Sequence, residues 1–144
     1  MPAAILHPML AMVLLTAIVA GVMYRRRIGE MRARRIHPQK LATSAQTAGA
    51  LEDTRASDNF RNLFEAPVLF YAAVLTIHSA QLTGTACLVL AWLFVAVRIV
   101  HSSIHCTYNR VMHRFAAFVT SLGVLWILWG VIAYDLLLGA ARRH

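Results

Sequence analysis

Arg98, His101 and His105 stand within one apolar run, and Asn62 and Glu65 open another with Arg61 beside them. These residue types hold small anions or move protons. A guanidinium meets a carboxylate through a planar fork, a carboxylate receives an ammonium, and an imidazole titrates at about pH 6.5. An arginine at membrane depth costs about 2.5–3.5 kcal/mol on insertion scales, so it persists only where a partner, a cavity or a ligand offsets it.

The spacings are helical. Asp58, Asn62, Glu65 and Leu69 recur on one helix face, and Arg98, His101, His105 and Met112 form a stripe flanked by Ser102 and Tyr108. At about 1.5 Å per residue, Glu65 lies roughly 7 Å and Arg98 roughly 10–15 Å below the basic side of the membrane. The two charges are therefore expected to meet. They form either an ion pair that fixes helix register or the lining of a water-reachable cavity, with Arg61, Arg110 and Arg114 at its mouth. Pro67 is expected to kink the helix by clashing with the Leu63 carbonyl.

Composition dictates what must position these residues. The chain has 144 residues, 59% of them hydrophobic, and four apolar stretches, which make it an all-α, integral membrane four-helix antiparallel bundle. The helices are expected at about residues 3–24, 60–80, 85–108 and 115–138, joined by a basic loop over 25–58, and 144 residues leave room for a single domain. The first run has no positive charge before it and meets Arg25, Arg26 and Arg27 after it, the reverse of a signal peptide.

A net charge of +8 would suggest nucleic acid in a soluble chain, but the arginines cluster in one loop, so they read as topology and no nucleic-acid partner is expected. The loop then lies in the cytoplasm and both termini face outward, against which Arg142 and Arg143 are a mild conflict. The stretch Thr43 to Ala50 is expected to be weakly structured. Polybasic juxtamembrane segments also attract acidic headgroups. Ala116, Thr120, Gly123, Ile127 and Gly130 give the last helix a face of mostly small residues, suited to contact within the bundle or between subunits, with packing inside the bundle preferred, and Trp126 and Trp129 are expected to pack there too. Cys87 and Cys106 form no disulfide framework.

The run from Asn59 to Pro67, together with Arg98 and the tract from His101 to Arg110, resembles the MAPEG family, membrane-associated proteins in eicosanoid and glutathione metabolism. The sharpest element is Asn62-x-x-Glu65 followed closely by Pro67, with an arginine in the third helix. The resemblance covers nearly the whole chain. It implies a homotrimer in the lipid bilayer that binds glutathione, as co-substrate, between neighbouring subunits near the cytoplasmic side. By that resemblance Glu65 receives the glutathione ammonium, Asn62 bonds its backbone, and Arg61 and Arg98 address its carboxylates. His101, His105 and Tyr108 complete the lining, the two histidines standing roughly where characterised eukaryotic members carry tyrosines. Arg110 or Arg114 would stabilise the thiolate that attacks a small lipophilic substrate. The implied activity is a glutathione-dependent transferase or peroxidase, and the compact, bacterial-looking motif points to an inner membrane.

Three other readings use the same residues. A non-catalytic scaffold or accessory subunit would use the charges for assembly and bind lipid or a small anion. His101 and His105, four apart with Cys106 adjacent, are spaced for a metal but lack an obvious third ligand. Haem would need facing pairs drawn from His7, His78, His101, His105 and His113, which lie toward opposite membrane sides.

Overall fold

The computed structural model describes residues 2–82 and 84–141. After a short 3-10 turn at Pro2–Ile5, the first apolar run forms α1, Leu6–Ala33. It continues beyond the expected end at Tyr24 because the arginines, Met31, Glu30 and Ala33 are good helix formers. Arg35, with φ of 52°, ends the run, and the Ile36 N–H turns back to the Met31 carbonyl at 3.0 Å.

The basic connection is folded. It holds a 3-10 turn at Pro38–Leu41, then α2, Ser44–Ala50, and α3, Arg55–Asn62. The expectation of weak structure after Thr43 is corrected. Thr43 Oγ1 accepts the Gln46 N–H at 3.2 Å and Gln46 Oε1 accepts the Thr43 N–H at 3.0 Å, a reciprocal cap that satisfies two donors at the start of α2. Arg26 and Arg55 tie the connection to the end of the third span by donating to the carbonyls of Cys106 (2.7 Å) and Thr107. Asp53 holds both arginines, Arg55 at 2.8 Å and Arg26 at 3.3 Å.

The second span is two helices, not one kinked helix. α3 stops at Asn62 and α4 runs Ala66–Ser79 with Pro67 in its first turn, where a missing N–H costs nothing. Glu65 caps α4 with a non-helical backbone (φ −98°, ψ −97°). Gln81, at φ 54°, turns the chain into α5, Thr85–Cys106, and Asn109, at φ 48°, turns it into α6, Val111–Ala141. Asparagine tolerates this left-handed backbone better than most residues.

Four segments are long and apolar enough to cross a membrane: Ala3–Ala33, Arg55–Ser79, Thr85–Cys106 and Val111–Leu138. They make an all-α antiparallel bundle of an integral membrane protein. Its interior is dry around Phe70 and Phe94, whose rings stack at 4.5 Å, with Met12, Val74, Leu125 and Leu128 against them. Its outside is apolar as well, with Leu14, Ile18, Val89 and Ile127 exposed, as lipid as solvent requires.

Two packing expectations are corrected. Ala116, Thr120, Gly123, Ile127 and Gly130 all face outward, because α6 buries the alternate stripe of Ser121, Leu125, Leu128 and Ile132. Trp126 is likewise 61% exposed, whereas Trp129 is half-buried and donates its indole N–H to the Leu69 carbonyl at 3.3 Å. Arg142 and Arg143 lie outside the described residues.

Candidate functional site

Near the carboxyl end of α5 the helical period places Arg98, His101, Ser102 and His105 on one face, and all four are buried, none more than 3% exposed. They face α3 and the start of α6. On α3 the buried stripe is Ala56 and Asn59, and Leu63 just past its end continues it. Asp58 and Glu65 are exposed and Asn62 is half-buried.

The helix break creates the central contact. Because α3 ends at Asn62, its carbonyl is free of a full helical ladder and accepts the Arg98 Nη2–H at 2.9 Å. The expected ion pair is not formed. Among the described residues, the ion pairs within 4.0 Å join Arg26, Arg34 and Arg55 to Glu30, Glu52 and Asp53, and Glu65 has none. Glu65 is exposed, and its charge acts on Arg98 without contact. Arg98 Nε and Nη1 are buried without a hydrogen-bond partner, and so are His101 Nε2 and His105 Nδ1. Four orphaned polar atoms in one cluster are exceptional in a folded interior.

Arg114 organises the opposite wall. Its Nη1 donates to Asn109 Oδ1 at 2.8 Å and lies 3.3 Å from His105 Nε2, while its carbonyl accepts the His101 Nδ1–H at 3.2 Å. That bond leaves Nε2 as the remaining position of the neutral His101 ring. Asn62, His101 and Arg114, with Val111, Phe115 and Phe118, line a cavity of about 200 Å³. A polar floor beneath an aromatic and aliphatic wall suits a ligand that is charged at one end and apolar at the other.

The structure thus brings together Asn62, Arg98, His101, His105 and Arg114. Arg61 is exposed and lines a different cavity, between α1, α2 and α3. Tyr108 is 58% exposed in the turn after α5, and its hydroxyl meets His113 Nδ1 at 3.3 Å. Arg110 is exposed in the same turn. Met112 leaves the expected stripe because α5 has ended, and it is 74% exposed on α6. Among the described residues, no three His, Cys, Asp or Glu side chains gather as a metal site.

Asn59 was not singled out by its spacing. Fully buried, it accepts the Ser102 hydroxyl at 3.3 Å and donates to Cys106 Sγ at 3.4 Å, locking α3 to α5. The sequence signal that would have found it is the spacing Ala56–Asn59–Leu63, three then four, which marks the core side of α3.

The model of the MAPEG family matches residues 5–134. The chain belongs to the MAPEG family. The match reaches all four spans and includes every residue that lines the cavity. No curated protein and no solved structure gives a significant match to the chain.

Proposed function

We propose that this MAPEG protein binds glutathione at the cavity between α3, α5 and α6 and activates its thiol for attack on a lipophilic electrophile or peroxide. The observation that carries the reading is Arg98, a wholly buried guanidinium with two nitrogens unpaired, one hydrogen bond away from a cavity that holds a second arginine. A permanent cation kept in a bundle core without an acidic contact calls for an anion. Glutathione offers two carboxylates and a thiol. The exposed Glu65, three residues after the cavity-lining Asn62, suits its ammonium, and Asn62 suits its peptide groups.

Of the two arginines implied to stabilise a thiolate, Arg114 is favoured over Arg110, because it alone lines the cavity and only its Nη1 bonds a protein side chain. A nearby guanidinium lowers a thiol from its reference pKa of about 8.5 and raises the reactive fraction at neutral pH. The thiol proton leaves to water. The sulfur then forms a bond to the electrophilic carbon, whose leaving group departs with the electron pair, or to the terminal oxygen of a hydroperoxide, whose O–O bond breaks to leave the sulfur as a sulfenic acid and an alkoxide that takes a proton from water to become the alcohol. Phe115 and Phe118 present an apolar approach for a substrate held in the bilayer. The reading includes three copies per assembly and a basic end facing the cytoplasm of an inner membrane, as the charge bias favours.

Isothermal titration of the folded protein in detergent tests it. Saturable glutathione binding is expected at millimolar concentration or below. Arg114→Gln is expected to cut conjugation of a chlorinated nitroarene by tenfold or more with a smaller effect on binding. Absence of saturable heat from a well-folded sample would sink the reading. Binding that survives with no turnover of electrophiles or peroxides would favour an accessory protein that holds a small anion.

A further inference from the structure

The second cavity, of about 310 Å³, lies where α1 leaves its apolar stretch and meets α2 and α3. Arg27 and Arg61 line it together, from different helices. Neither takes part in an ion pair among the described residues, although the neighbouring Arg26, Arg34 and Arg55 all do. Arg27 is half-buried and oriented by a bond from Nη2 to Thr47 Oγ1 at 3.1 Å, and its Nε is buried with no partner. The remaining polar lining is hydroxyl, from Thr43, Thr47 and Ser57, with no carboxylate among the lining residues. Met23 and Phe60 form the apolar side.

We propose that this cavity binds a phosphate group, with the headgroup of an anionic phospholipid as the source its position favours. Two cations match the oxygens of a phosphate, and arginine forks suit that geometry; the Ser57 hydroxyl lies beside them, while the protons of Thr43 and Thr47 go to Gln46 Oε1 and the Leu41 carbonyl. The cavity lies just beyond Tyr24, at the level where the apolar surface of α1 gives way to arginines and where headgroups sit. Met23 and Phe60 then meet the glycerol and first acyl carbons. The site is separate from the cavity of α5 and α6, and it stands whether or not that cavity takes glutathione.

A delocalised basic surface attracts anionic lipid too, and it does so through every surface arginine alike. The test therefore compares two variants with equal loss of charge. The protein is placed in nanodiscs of phosphatidylcholine with a minor share of phosphatidylglycerol, extracted, and analysed by native mass spectrometry. Retention of phosphatidylglycerol is expected for the parent protein and for Arg25→Gln with Arg32→Gln, and at least a tenfold fall for Arg27→Gln with Arg61→Gln. Ala42→Trp, which fills the cavity without changing charge, is expected to lose the lipid as well. Glycerol phosphate serves as soluble competitor. Displacement by it assigns the site to phosphate recognition alone, and persistence of the lipid assigns it to headgroup and acyl chain together, both of which uphold the proposal. Equal loss in the two double variants, or no retention by the folded parent protein, would overturn it. Thermal melting of each variant separates lost binding from lost fold.

Discussion

Arg98 is the residue on which stability and function part company. Its guanidinium is wholly buried, and one protein carbonyl bond leaves two of its nitrogens, Nε and Nη1, unpaired, so the charge costs the bundle free energy. Replacing such a charge with an apolar group of similar volume is often neutral or stabilising, whereas truncation opens a cavity worth about 2–4 kcal/mol. Arg98→Met is therefore expected to melt at or above the parent temperature while binding glutathione at least tenfold more weakly; Arg98→Ala is expected to melt lower. An Arg98→Met protein that fails to fold would make the guanidinium a structural group and oppose the ligand reading. The stripe of Arg98, His101 and His105 was legible because α5 is unbroken and its period of 3.6 holds throughout. The expected pairing of Arg98 with Glu65 failed, because the helix that carries Glu65 is broken. Ending α3 before Glu65 rephases the faces, leaves the carboxylate exposed and substitutes a backbone oxygen for it.

Among the elements, hydropathy exposed the four spans and their order, since each needs about 20 apolar residues to cross the membrane. It said nothing of α2 or α3, short helices fixed by a reciprocal cap and by ties to the end of α5. Asp53 is the centre of those ties. Its hydrogen bonds from Arg55, aided by the charges of Arg55 and Arg26, hold its carboxyl below the usual range. Because the folded value is the lower one, the stabilisation is fully present above the unfolded value of about 3.9 and is lost as pH falls through the folded value. Asp53→Asn is expected to lower stability by about 0.5–1 kcal/mol at neutral pH, the range of partly exposed ion pairs, and to converge with the parent protein in acid. Thermal melts across pH 2–7 check this, and parallel curves that never converge would refute the role of the charge.

The molecule as a whole presents two kinds of surface to lipid. Most of it is large and apolar, but α6 carries the outward face of Ala116, Thr120, Gly123 and Gly130, and a Cβ at either glycine would meet nothing within 4 Å. Small residues allow close backbone approach between helices in a bilayer. If the proposed trimer forms through this face, Gly123→Leu with Gly130→Leu is expected to leave helix content and monomer melting intact while reducing cross-linking into three-copy species by half or more. An unchanged trimer would assign this face to lipid. That it faces outward was invisible in sequence, where small residues suit contact inside a bundle and contact between copies equally well.

The anchoring of Arg98 on the Asn62 carbonyl has an evolutionary corollary. A main-chain oxygen is supplied by any amino acid, so an exchange at position 62 is expected to leave α3 fastened to α5. Asn62 also lines the cavity, and exchanging its side chain is expected to change which molecules are admitted. Scaffold and selectivity are thereby inherited through different atoms of one residue, leaving the bundle free to diversify its chemistry while its architecture stays put.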